Sequence, residues 1–133
     1  MNLRLAFVLA LVSLLCSACV TGTNYPDSYA SAYCGTIYAC FETDSIEDFF
    51  GWDSVSDCRD EKSAEGTESW AYDAYLEGDR VFDSEAAGNC IGEVEEFRSD
   101  PDCAGEELNI FNGAGFLLDI EHEDCAAVYP EVE

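Results

Sequence analysis

SYASAYCGTIYACFE, residues 28–42, is the stretch that decides the fold. Tyr29, Tyr33, Ile37 and Cys40 recur at helical spacing, with Cys34, Tyr38 and Phe41 alongside. Ser28 can cap the start, so the spacing predicts a helix running to about residue 42. Tyr25, Tyr29 and Tyr33 lie on the side that carries Ile37. They read as core packing rather than as an exposed aromatic stripe for sugar or protein contact.

Further helices follow downstream. Asp44-Ser45-Ile46-Glu47 is a capping-box pattern that opens a short helix through Phe50, stopped by Gly51. Asp53 or Ser54 caps a helix carrying Val55 and Cys58, which Gly66-Thr67 bends or interrupts. The helix resumes through Trp70, Ala71, Ala74 and Tyr75 and stops at Gly78. Arg80-Val81-Phe82 reads as an extended link, with Arg80 pairing with Asp79, Asp83 or Glu85. Asp83 or Ser84 then caps a helix to about residue 97, with Ala86, Ala87, Cys90, Ile91 and Val94 on one face. Ser99-Asp100-Pro101 ends it. Residues 106–111 read as a helical turn, 112–115 as a loop, and 116–120 as a short strand or helix. Residues 129–133 read as frayed.

Six cysteines accompany these elements: Cys34, Cys40, Cys58, Cys90, Cys103 and Cys125. An even number in an exported chain implies three disulfides, with fifteen connectivities open. Cys34 and Cys40 cannot pair. Six residues along a helix separate their Cα atoms by about 9 Å, and a disulfide needs under ~7 Å. Each should staple the helix to a different element. The pairing expected is Cys40–Cys58, Cys34–Cys90 and Cys103–Cys125.

Ahead of this domain stands a leader. Arg4 precedes an apolar run over residues 5–15, a charged segment and a hydrophobic core of signal-peptide length, too short to span a bilayer. Cys16-Ser17-Ala18-Cys19 follows. It resembles the lipobox of bacterial lipoproteins, in which small residues precede a cysteine that is acylated and becomes the new N-terminus. The resemblance implies lipidation of Cys19. The pattern departs from the family at Cys16, where Leu is preferred. The alternative is cleavage after Ala18 or Gly22 to give a soluble secreted protein. Val20 rather than Asp after Cys19 resembles outer-membrane sorting. The expected division is a lipoprotein signal peptide over 1–18, a tether over 19–27, and a disulfide-linked helical domain over 28–133.

The whole chain has 133 residues, and Lys and Arg number 5 against 29 Asp and Glu. Residues 19–133 keep all 29 acidic and four of the basic side chains, a net charge of -25. Nucleic acid is excluded as a partner, because phosphate binding needs Lys and Arg to replace counterions. Charge-driven binding to an anionic membrane is disfavoured for the same reason. Leu, Ile, Val and Phe number only 22 in residues 19–133. With such charge, that composition alone would read as disordered. Seven Tyr, two Trp and seven Phe in the same span, with the six cysteines, supply the missing buried surface and crosslinks. The expectation is a mainly α fold: a small disulfide-braced helical bundle with a loop-rich C-terminal part.

The combined spacing carries a second resemblance. Tyr33-Cys34, Cys40, Phe50-Gly51, Cys58, Gly78-x-Arg80-Val81-x-Asp83 and Ala86-Ala87-x-x-Cys90 follow one another as in the small cysteine-rich secreted lipoproteins of myxobacteria and related bacteria. The resemblance covers about residues 29–103. It implies a mostly helical, disulfide-linked exported domain and supplies no catalytic residues.

Candidate chemistries are few. His122, the single histidine, sits in the acidic run Glu121-His122-Glu123-Asp124 and reads as solvated rather than as a base or ligand. Among 29 carboxylates a hydrolase-like pair can always be drawn, so such a pair carries no weight. No nucleophile elbow, zinc-protease or phosphate-loop motif occurs. Asp44, Glu47 and Asp48, then Asp53, Asp57, Asp60 and Glu61, then residues 121–124, are the clusters a calcium ion would use; none has EF-hand spacing. The expectation is a lipid-anchored, non-enzymatic protein with a structural or binding role and no cofactor. Its partners would be a membrane, reached through the anchor, and basic proteins or cations drawn by charge. A calcium-binding surface module and a carboxylate-dependent hydrolase are the alternatives.

Overall fold

The computed structural model describes residues 19–99, 103 and 123–133. The expectations for residues 1–18, 106–120 and His122 lie outside the described residues. In chain order the elements are α1 (Tyr25–Cys40), α2 (Thr43–Phe50), α3 (Val55–Thr67), α4 (Trp70–Glu77), α5 (Ser84–Glu96), a 3-10 turn (Phe97–Ser99) and α6 (Glu123–Ala126). The chain is mainly helical and disulfide-braced, as the spacing predicts.

Helix ends follow local chemistry. Ser54 accepts a hydrogen bond from the Asp57 amide, Ser69 from the Tyr72 amide, and Asp83 from the amides of Glu85 and Ala86. Gly51 (φ 80°) and Gly78 (φ 88°) close α2 and α4 in the left-handed conformation that a side chain resists. Two starts differ from expectation. α1 begins at Tyr25 rather than after Ser28, because Pro26 occupies the first turn, where no N–H is needed. α2 begins at Thr43 without a side-chain cap, so the capping box at Asp44 does not form. Asp44 lies one position inside the first turn, where its charge favours the positive end of the helix.

α1 is the central element, packed against α3 on one side and α5 on another. Ala30, Ala32, Tyr33, Cys34, Thr36, Ile37 and Cys40 are all buried, as a helix wrapped by neighbours requires. Its C-terminal half joins a core of Phe41, Ile46, Trp52, Cys58, Val94 and Phe97. Phe50 stacks on Trp52 at 4.2 Å. Its N-terminal residue Tyr25 enters a second core with Tyr72, Ala86, Ala87, Cys90, Val128 and Tyr129.

The six cysteines pair, but not as expected. The bonds are Cys34–Cys58, Cys40–Cys103 and Cys90–Cys125, with Cα separations of 5.9, 4.3 and 4.8 Å. The reason is register. Asp27 meets Ser63, Gly66 lies against Pro26, and Cys34 meets Cys58, so α1 and α3 run antiparallel. Cys40 then projects past the start of α3 and is left for Cys103. Cys34 and Cys40 do join α1 to different segments, as helical geometry requires.

The chain ends also differ. Residues 129–133 are not frayed throughout. Val128 and Tyr129 are buried. The Val81 amide donates to the Pro130 carbonyl (3.1 Å) and the Asp83 amide to the Val128 carbonyl (2.9 Å). Arg80 and Glu131 form an antiparallel bridge. Tyr129 packs its ring against Tyr25, Tyr72, Tyr75 and Phe82 at centroid distances of 5.3–6.0 Å. Nor is the segment 19–27 a loose tether: Gly22, Tyr25 and Pro26 are buried.

Candidate functional site

Residues 19–24 form a turn held down at both ends. The Thr21 amide donates to Asn24 Oδ1 (2.6 Å), and the Tyr25 amide donates to the Thr21 carbonyl (2.9 Å). Three tyrosines from distant elements grip this turn. Tyr129 Oη donates to the Gly22 carbonyl (2.8 Å) and Tyr72 Oη to the Thr23 carbonyl (3.3 Å). The Tyr75 ring lies so close to Gly22 that a Cβ there would approach its Cζ to 2.3 Å, so a side chain at this position would displace the ring. Val20 packs against the same aromatic core. Cys19 itself is exposed and stands outside the three disulfides, its carbonyl accepting from Asn24 Nδ2 at 3.4 Å. A thiol on a short, fixed stem can carry a covalent group without disturbing the core. Among the described residues no helix is long and apolar enough to cross a membrane.

Burial raises the phenol pKa values of Tyr25, Tyr33 and Tyr129 above the ordinary tyrosine value, with neighbouring tyrosines adding to the effect. At neutral pH all three are therefore neutral packing groups, and Tyr129 serves as a hydrogen-bond donor.

The basic side chains are turned to internal use. Arg80 Nη1 donates to the Tyr129 carbonyl and Nη2 pairs with Glu131 at 3.3 Å. The Arg80 guanidinium also lies 4.2 Å from the centre of the Trp70 ring. The neighbours expected for it, Asp79, Asp83 and Glu85, are not its ion-pair partners among the described residues. Arg98 Nε donates to Thr36 Oγ1 (3.1 Å), which donates in turn to the Val94 carbonyl (3.1 Å). Lys62 pairs with Glu65 at 2.7 Å and sits over the rings of Tyr33 and Trp52. Three of the four basic groups in residues 19–133 thus brace the fold. Arg59 stays exposed among the many exposed carboxylates of the described residues.

The acidic clusters read from the sequence are dispersed. Asp44, Glu47 and Asp48 are exposed on α2; Asp57, Asp60 and Glu61 are exposed on α3, with Asp53 just before it. Ser54 Oγ donates to Asp57 at 2.8 Å. Asp124 joins Glu93 and Glu96 along a groove of about 360 Å³ between α5 and α6. Among the described residues no three His, Cys, Asp or Glu side chains converge on a point that would hold a metal ion. A second cleft, of about 370 Å³, lies beside Trp70, Arg80 and Tyr129.

The sequence reading missed Trp52, Lys62, Val128 and Tyr129 as structural residues, and Trp70 as the partner of Arg80. The scarcity of cations near so many aromatic residues was the available signal. No protein-family model, curated protein or solved structure matches the chain.

Proposed function

We propose that this is an exported, lipid-anchored, acidic cell-envelope protein with a non-enzymatic structural or binding role. The observation that carries the reading is the placement of Cys19. It is exposed at the head of a turn that three tyrosines clamp to the domain, directly after a leader-like segment and small residues. Acyl chains on this residue would hold the domain durably, since each buried methylene contributes about 0.8 kcal/mol. The three disulfides agree with an oxidising compartment. Val20 after Cys19 favours the outer membrane. The kinship with small cysteine-rich secreted lipoproteins belongs to the same proposal.

The partners proposed beyond the membrane are basic proteins or cations. Support comes from the inward use of Lys62, Arg80 and Arg98, which leaves few positive groups to interrupt the acidic exterior. Labelled fatty acid should enter the wild-type chain and not Cys19→Ser. Equal labelling of both sinks the anchor. Capture of basic envelope proteins should be strong at low salt and lost at high salt; capture indifferent to salt would remove charge as the basis of partner choice.

A further inference from the structure

The cleft beside Trp70 and Arg80 has a disulfide in its wall. Tyr25, Cys125 and Tyr129 line it together with Trp70 and Arg80, around a volume of about 370 Å³. Cys125 is half-buried there, whereas its partner Cys90 is fully buried. The Tyr25 hydroxyl lies 3.2 Å from Cys90 Sγ, inside the second core. A disulfide sulfur carries no proton, so the phenol is the donor of this bond. The other two bridges are placed differently. Cys34 and Cys58 are both fully buried. Cys40 is fully buried too, and its partner Cys103 packs half-buried against the first core.

The Tyr25 hydroxyl suits a species that the closed bridge does not provide. Disulfide sulfur is a weak acceptor, so the buried phenol makes a poor bond to it. A thiolate in the same place would accept a charge-assisted bond about twice as strong. Burial keeps the Tyr25 phenol protonated at neutral pH, so the donor is in place before any reaction. Apolar surroundings disfavour a Cys90 thiolate, and the fixed hydroxyl offsets that cost. Arg80, whose ion pair with Glu131 is screened by solvent, brings a positive group to the cleft wall. It favours the approach of an anionic thiolate to an otherwise acidic molecule.

We infer that Cys90–Cys125 is a thiol–disulfide exchange site whose substrate is a dithiol entering this cleft. The thiolate of the dithiol attacks Cys125 Sγ, forming a mixed disulfide and breaking the bond to Cys90. Cys90 leaves as a thiolate, held by the Tyr25 hydroxyl. The second thiol of the reagent, as thiolate, then attacks the reagent sulfur in that mixed disulfide. Cys125 leaves as a thiolate and the reagent departs as a disulfide. Two electrons pass from dithiol to protein, and the two protons given up by the dithiol are taken up through solvent by the two cysteines. The exchange frees α6 from α5, while Cys34–Cys58 and Cys40–Cys103 stay closed. The core around Trp52 is therefore kept, and the segment that loosens is the one carrying Val128 and Tyr129. Lipidation of Cys19 plays no part in this chemistry.

The oxidised protein is treated with dithiothreitol under native conditions, quenched in acid at intervals, alkylated and mapped by mass spectrometry. The Cys90 and Cys125 thiols should be released about tenfold or more faster than those of the other four bridged cysteines. With glutathione alone, the mixed disulfide should map to Cys125 and not to Cys90. Tyr25→Phe keeps the ring and removes the donor, so it should slow release of this pair by about tenfold. A purely structural role for the hydroxyl would have the opposite sign, because a loosened core speeds release. Rates with dithiothreitol and with reduced thioredoxin tell a small reductant from a protein one, and the site stands with either. Release of all six thiols together, or opening of another bridge first, overturns the inference. So does glutathione found on Cys90, or a Tyr25→Phe protein that releases the pair as fast as wild type or faster.

Discussion

The Tyr129 hydroxyl donates a 2.8 Å hydrogen bond to the Gly22 carbonyl, joining residues 107 positions apart. This bond ties the segment that follows Cys19 to the aromatic core around Tyr129. Tyr129→Phe keeps the ring contacts and removes only the donor. It should cost about 1 kcal/mol, with the buried Gly22 carbonyl left short of a partner. Hydrogen exchange should quicken at the Tyr25 amide, which is bonded within the same turn. An unchanged exchange rate would show that the turn holds without the clamp.

Arg80 links three otherwise separate pieces: the Tyr129 carbonyl, the Trp70 ring and Glu131. Arg80→Lys keeps the charge but loses the planar stack and the forked donors. The expected loss is about 1–2 kcal/mol, with a change in Trp70 fluorescence. Glu131→Gln should shift stability by less than about 0.5 kcal/mol, because the Glu131 side chain is 85% exposed and its ion pair is screened. Urea unfolding of the two variants measures the contrast.

What was legible in the sequence depended on near neighbours. The caps at Ser54 and Asp83 and the stops at Gly51 and Gly78 involve bonds spanning two to four residues, which composition reveals. The disulfide partners depended on the offset between α1 and α3, which is set by their direct antiparallel packing and not by the spacing within either helix. Tyr129 reads as the start of a frayed end because Pro130, Glu131 and Glu133 follow it, and nothing beside Val128 marks it as core. Their stabilisation comes from Gly22, Arg80 and Asp83, all more than forty positions away. The same holds at the anchor. Cys19 was visible from its immediate neighbours, while the tyrosines that hold Gly22 and Thr23 were not.

Peptide mapping without reductant should recover Cys34 with Cys58, Cys40 with Cys103 and Cys90 with Cys125. In the chain-entropy account, loops of 24, 63 and 35 residues correspond to about 3.5–4.5 kcal/mol each. That is a large share of the stability of a small domain. Cys90→Ser with Cys125→Ser should lower stability and release α6 from α5, seen as faster hydrogen exchange in residues 123–129. Recovery of Cys40 with Cys58 would refute the register of α1 on α3.

Tyr25, Tyr33 and Tyr129 have phenol pKa values raised by burial. The unfolded chain releases these protons near pH 10, before the folded chain does. Above that pH the folded state binds more protons than the unfolded one, so stability falls as pH rises. It is fully present below about pH 10 with respect to these groups. Absorbance at 295 nm should show these tyrosines ionising late and together with the loss of near-ultraviolet circular dichroism. Ionisation of all seven tyrosines near pH 10 with the fold intact would contradict the buried cluster.

Residues 19–133 carry 29 acidic side chains against four basic ones, and three of those four are engaged internally. Compaction therefore brings like charges together with little relief from surface cations. Screening shortens from about 10 Å at 0.1 M salt to about 3 Å at 1 M. The melting temperature should climb with sodium chloride over this range. Divalent ions distinguish general screening from a specific site. If repulsion alone is relieved, calcium and magnesium at equal concentration should raise the melting temperature equally. A rise peculiar to calcium, saturating at millimolar concentration or below, would mean that oxygen ligands converge somewhere on this surface. It would restore the calcium-binding alternative at the expense of diffuse charge.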